Sequence, residues 1–117
     1  MVIHVRTRGF SLSEALRQYI EDSLVAATRP FGAAVSTVTA YLTDINAHRG
    51  GNDKRCRLVA VLPHRREIVT EGLHADAYSS IEQSSGRLRR AISRKLGRNT
   101  RYERRSARRF NATDLAT

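Results

Sequence analysis

The sequence predicts an α+β fold: a two-layer sandwich in the order β-α-β-β-β-α, with a four-stranded sheet and two helices on one face. Residues 2–8, 35–45, 55–62 and 66–74 alternate apolar and polar side chains with the period of two that a half-buried strand requires. Two other stretches, one beginning near Ser11 and one at Asp76, repeat apolar residues at helical spacing. Each has a single apolar stripe, so both helices should cover the same face of the sheet. With 117 residues, 40% of them hydrophobic, the chain can build one domain around a modest core.

In the first strand Ile3 and Val5 fall on one side and His4, Arg6 and Arg8 on the other, and Gly9 ends it. Ser11-x-x-Glu14 has the spacing of a capping box, with Ser13 as the alternative cap. Leu12, Ala15, Leu16, Tyr19, Ile20, Leu24 and Ala27 then form the stripe of a helix that Pro30 stops near Thr28. This helix can act as the crossover that sets strand one parallel to strand two. After the Phe31-Gly32 turn, Val38, Ala40 and Leu42 point one way and Thr37, Thr39, Tyr41 and Thr43 the other. Threonine-rich alternation of this kind favours strand over helix. Residues 46–53 read as a polar loop. In the third strand Cys56, Leu58, Ala60 and Leu62 are inward, and Arg55, Arg57, Val59 and Val61 outward. Pro63-His64-Arg65 turns the chain into the fourth strand, where small residues at inner positions, Thr70 and Gly72 beside Ile68, would let a helix pack close.

The second helix opens at Asp76, whose carboxylate suits both an N-cap and the positive end of the helix dipole. Tyr78, Ile81, Ser85, Leu88, Ile92 and Leu96 make its core stripe. Between Arg87 and Arg109 lie eleven basic residues and one acid, Glu103, so this stretch alone carries as much charge as the chain's net +10. At about 100° per residue, Arg87, Arg90, Arg94, Arg98 and, if the helix runs on, Arg101 gather opposite the core stripe. Aligned guanidinium groups with hardly a carboxylate partner repel one another, and a polyanion relieves that repulsion: nucleic acid first, anionic membrane second. The apolar pattern ends near Gly97 to Asn99. That divides the chain into a domain, 1–99, and a basic, flexible C-terminal tail, 100–117. The alternative is a helix that continues to Arg109 and packs through Tyr102 and Phe110; in a tail, those two aromatics could instead stack on bases.

No catalytic constellation can be assembled. His4, His48, His64 and His74 fall on different elements without ligand spacing, and a single cysteine supplies neither a zinc set nor an internal disulfide. A non-enzymatic protein is expected, without catalytic residues, metal, cofactor or small-molecule substrate. Cys56 reads as a small core residue, and Gly50-Gly51 as a turn, since no Lys-Ser/Thr follows it to make a phosphate loop. Lys54, Arg55 and Arg57 form a second basic cluster, within reach of Asp44, Asp53, Glu67 and Glu71 on neighbouring strands, and Arg65 and Arg66 form a third. No apolar run approaches the roughly 20 residues needed to span a bilayer. The N-terminus has no signal-peptide pattern, so a cytoplasmic protein away from the membrane is expected.

Two segments carry a resemblance. Asp44-Ile-Asn46 leads through Arg49-Gly-Gly-Asn-Asp-Lys-Arg-Cys-Arg57, and Ala75-Asp-Ala-Tyr-Ser-Ser-Ile81 leads into the basic helix. With the element order, these resemble the ribosome hibernation promoting factor family, which includes the ribosome-associated inhibitor A proteins and is also called the sigma-54 modulation family. The likeness covers residues 1 to 99 and is to the short form; long members carry a further C-terminal domain that pairs two ribosomes. It implies a partner, the small ribosomal subunit and its rRNA, and a role: occupying the decoding channel and silencing translation in stress or stationary phase. It also implies an RNA-binding set, by position Arg87, Arg90, Arg94, Lys95 and Arg98 on the helix, extended by Arg101, and Lys54, Arg55 and Arg57 on the strand. A free-standing binder of structured RNA and a protein-interaction module that modulates transcription are the competing expectations.

Overall fold

The computed structural model describes residues 1–9, 11–45 and 53–116, with side chains described as far as residue 97. The expected turn at Gly50-Gly51 lies outside the described residues. The elements follow in the expected order: β1 Val2–Arg8, α1 Glu14–Thr28, β2 Thr37–Asp44, β3 Lys54–Leu62, β4 Arg66–His74 and α2 Ala77–Ala116. The sheet is ordered β1-β2-β3-β4. β1 runs parallel to β2 across the α1 crossover, and the other pairs are antiparallel.

Of the two candidate caps for α1, Ser13 is the one used: its hydroxyl accepts from the Leu16 N–H at 3.1 Å. Pro30 lies in the 3-10 turn Arg29–Ala34 that ends the helix. At the start of α2 the Asp76 carboxylate accepts from the N–H groups of Tyr78, at 3.4 Å, and Ser79, at 3.3 Å. Two otherwise unpaired donors of the first turn are thus satisfied.

One face of the sheet forms the core. Val38, Ala40 and Leu42 of β2, Cys56, Leu58, Ala60 and Leu62 of β3, and Ile68 of β4 are buried against Leu16, Ile20 and Leu24 of α1 and Ile81, Leu88 and Ile92 of α2. Ile3 and Val5 of β1 pack at its margin.

The two layers meet closely at Gly72. A Cβ there would run into the Ser80 carbonyl oxygen and come within 3.0 Å of Gln83 Cβ and the Ser84 nitrogen. On the helix side Ser80, Ser84 and Ser85 are buried. Their hydroxyls donate to carbonyls of their own helix: Ser80 to Ala77 at 2.7 Å, Ser84 to Ile81 at 3.1 Å, and Ser85 also to Ile81. These buried polar groups therefore need no outside partner. Thr70 Oγ1 donates across the interface to the Ser84 carbonyl at 3.0 Å.

This packing corrects the expected stripe at one position. Tyr78 is not in the core; it is 39% exposed and meets Tyr19 edge-on, with ring centroids 4.9 Å apart. Where the helix comes down on β4 only small side chains fit, so the serines take the buried positions and the tyrosine is displaced to the rim.

α2 passes Gly97 and Asn99 without a break and runs to Ala116. Arginine and alanine are good helix formers, which sustains a helix where the apolar stripe has ended. At about 1.5 Å per residue, α2 outreaches the nine-residue strands. The molecule measures 72 × 23 × 20 Å, and its radius of gyration is 18.3 Å, against about 13 Å for a compact chain of this length.

Opposite outcomes are expected at two glycines of this interface and helix. Gly72→Ala should lower stability by roughly 1–3 kcal/mol, because strand and helix backbones must separate. Gly97→Ala, where a Cβ meets nothing within 4 Å, should raise it by up to about 1 kcal/mol. Thermal melts of the two variants should move in opposite directions; equal shifts would mean the Gly72 contact is not tight.

Cys56 gives the core a chemical reporter. Burial pushes its thiol up to about 11, against a weaker opposing effect of the hydrogen bond with Ser84. The native thiol should be silent to a thiol reagent at pH 8 and react stoichiometrically once denaturant unfolds the chain. Because the unfolded thiol loses its proton first, this group's contribution to stability is full below about pH 8.5 and declines as pH rises toward 11. Rapid labelling of the folded protein would contradict this placement.

Candidate nucleic-acid interface

α2 turns its outer side away from Ile81, Leu88 and Ile92, and there Arg89, Arg90, Ser93 and Arg94 stand exposed. With Gly86 they line a shallow groove along the helix. Gly86 has nothing within 4 Å of where a Cβ would be, so the groove floor is open to close approach. Among the described residues, no carboxylate lies within ion-pair distance of Arg89, Arg90 or Arg94.

Arg90 and Arg94 of the expected ridge thus stand together. Arg87 leans the other way and donates from Nη1 to the Glu71 carbonyl on β4. Lys95 is half-buried, and the side chains of Arg98 and Arg101 lie outside the described residues. Arg89 joins the groove although the expected ridge did not contain it. The burial of Ser80 and Ser84 explains the shift: they widen the covered arc on the Arg87 side, so the exposed arc is centred nearer Gly86 and Arg90.

The β3 cluster divides. Lys54 lies opposite Asp44 in the β2–β3 register, and its amine is 2.9 Å from Asp44 and 3.1 Å from Asp53. The hydrogen bond to Asp44, then that to Asp53, raises the amine's pKa. Together with the bond from the Ile45 N–H to the Asp53 carbonyl at 2.8 Å, this pins the ends of β2 and β3 together. Lys54 is committed to that latch.

Arg55 and Arg57 point the opposite way, onto the sheet face that no helix covers. There the register sets Tyr41 between Arg6 and Arg57, and Thr43 between Arg8 and Arg55. Arg6, Arg8, Tyr41, Thr43, Arg55 and Arg57 line a groove of about 370 Å³. Tyr41 is 40% exposed. Arg57 Nε is 4.0 Å from Glu71, a pairing in which both side chains are half exposed and which is therefore weak in water. Arg55 Nε is buried without an acceptor among the described residues.

The basic residues therefore do not make one patch. The helix groove and the sheet groove lie on opposite sides of the sandwich. Arg6, Arg8 and Tyr41 were visible in the sequence as outward-facing, but only the strand register brings them to Arg55 and Arg57. Among the described residues no group of three or more potential metal ligands occurs, and no helix is long and apolar enough to cross a membrane.

Fold and surface together define a class, a basic two-layer α+β domain that presents guanidinium groups on both faces. The chain belongs to the family described as Sigma 54 modulation protein / S30EA ribosomal protein, whose model matches residues 3–100. This is a family of ribosome-associated modulation factors and not a known enzyme family. Among solved structures, a ribosomal subunit interface protein from Coxiella burnetii is similar at 22% identity and a TM-score of 0.70, over 83% of this chain and 99% of that one. The N-terminal domain of Protein Y from Thermus thermophilus is similar at 21% identity and a TM-score of 0.66, over 80% of this chain and 98% of that one. Both likenesses are of fold. No curated protein sequence matches the chain.

Proposed function

We propose that this protein is a cytoplasmic ribosome hibernation factor that binds the decoding channel of the small ribosomal subunit and so silences translation, under stress or in stationary phase. The α2 groove carries the reading: three guanidinium groups without carboxylate partners among the described residues, held on a helix that the core anchors at Leu88 and Ile92. Arginines at fixed spacing bind phosphate through charge and paired N–H donors, and a rigid set of them suits a folded RNA whose phosphates are also fixed. Membership of a ribosome-associated family, and a structural relative named for the subunit interface, point the groove toward rRNA.

Within this reading residues 1–99 supply the register and 100–117 form a basic arm that adds attraction. The arm has few apolar residues with which to stabilise the domain.

Co-sedimentation with purified small subunits tests the groove. If three phosphates are neutralised, binding should fall with salt at a log-log slope of roughly −2 to −3. Arg89, Arg90 and Arg94 replaced together by Gln should fold normally, bind more weakly and show a flatter slope. Undiminished co-sedimentation by the folded variant would remove α2 from the interface, and equal affinity for unrelated RNA duplexes would favour a general structured-RNA binder.

Deleting residues 100–117 should leave the melting temperature nearly unchanged and weaken binding. It should flatten the salt dependence by nearly one slope unit for each phosphate that the arm neutralises in the full chain. A large fall in melting temperature would show instead that the distal half of α2 packs on the domain.

A further inference from the structure

The open face of the sheet is unused by the α2 groove and has chemistry of its own. Tyr41 lies exposed near its middle, with Arg6 on the neighbouring parallel strand and Arg57 on the neighbouring antiparallel one. Two residues along β2, Thr43 is flanked by Arg8 and Arg55 in the same way. Four cations thus surround one aromatic ring, in two rows about 7 Å apart. Among the described residues Arg6, Arg8 and Arg55 have no carboxylate within ion-pair distance, and the one acid at the rim, Glu71, holds Arg57 only at 4.0 Å. Arg55 Nε adds a donor taken out of water and without an acceptor among the described residues. Such a donor gains by meeting one.

We infer that this face is a second RNA site, a platform on which a single strand lays one base against Tyr41 while Arg6, Arg8, Arg55 and Arg57 hold the flanking phosphates. Charge favours an anionic occupant over a neutral or cationic one. An acidic peptide would satisfy the arginines but leave the tyrosine ring without a partner. A paired duplex presents phosphates and groove edges but no free base face. An unstacked strand satisfies both requirements, since every base has a π-face and phosphates recur along its backbone. Thr43, between Arg8 and Arg55, is placed to hydrogen-bond a base edge or a 2′-hydroxyl. The site is on the far side of the sandwich from Arg89, Arg90 and Arg94, so the protein can hold two RNA segments at once; the inference rests on the proposed RNA-binding function, which already counts Arg55 and Arg57, and adds to it Arg6, Arg8 and the stacking of a base on Tyr41.

The test uses the full chain and a short single-stranded oligoribonucleotide containing 2-aminopurine, whose fluorescence is quenched on stacking. The parent protein should bind and quench it. Tyr41→Ala should weaken binding roughly 5- to 100-fold and abolish quenching, whereas Tyr41→Phe should retain both. Arg6→Gln with Arg8→Gln should weaken binding without touching the ring; these side chains are exposed, so the variant should fold even if Tyr41→Ala does not. The Arg89, Arg90, Arg94 triple variant should still quench the probe, even though it is expected to lose small-subunit binding. Unaltered binding by Tyr41→Ala, loss of quenching in the helix variant alone, or displacement of the probe by polyglutamate as readily as by unlabelled RNA would each overturn the proposal.

Discussion

The contact on which the molecule depends is the approach of α2 to β4 at Gly72. Two backbones meet there with no side chain from the strand between them, and the helix answers with serines whose hydroxyls fold back on its own carbonyls. That proximity lets Leu88 and Ile92 reach the sheet and be fully buried, and it leaves α1 to cover the remaining width. Both helices are then committed to one side. Among the described residues no layer covers the other side of the sheet, and the outward side chains of its strands are exposed or half-buried. A fold of this size with one tight interface necessarily has two large free surfaces, the helix backs and the bare sheet, and the chain has placed arginine on both.

Much of this could be read from residue order alone. Alternation located the strands and assigned Cys56, Leu58 and Ala60 inward and Arg55 and Arg57 outward, because a strand's period of two leaves no third option. The small residues at Thr70 and Gly72 signalled the close helix. The Lys54 pairing was also accessible, since Asp44 and Asp53 flank it at the ends of a loop that joins adjacent strands. Two features were hidden and a third was left as an alternative, each for a distinct reason. Register is a relation between strands distant in sequence, so nothing local to Tyr41 says that Arg6 and Arg57 stand beside it. The rotation of a helix about its axis was read from large apolar residues. Buried serines widened the covered arc, sent Tyr78 to the rim and gave Arg89 the place expected of Arg87. The continuation of α2 past Gly97 rests on local propensity, which an amphipathic pattern does not register.

Electrostatics explains how two back-to-back basic faces can coexist in one small domain without undermining each other. Neighbours within a face are close: Arg90 and Arg94 are one helical turn apart, about 6 Å, and Arg55 and Arg57 are two strand residues apart, about 7 Å. Both separations are shorter than the roughly 8 Å Debye length at physiological ionic strength, so each cluster acts as one source of field. Between faces stand a sheet and a helix that is itself about 10 Å thick, so the groups on one side are largely screened from those on the other. Neutralising one face with phosphate therefore leaves the attraction of the other nearly intact. Within each cluster the like charges destabilise the free folded domain, and a bound polyanion removes that repulsion only where the fold holds the arginines together. Ligand affinity and fold stability are thus linked through the same groups, the helix set being held where α2 packs on β4 at Gly72 and the sheet set where the register of β1, β2 and β3 aligns it.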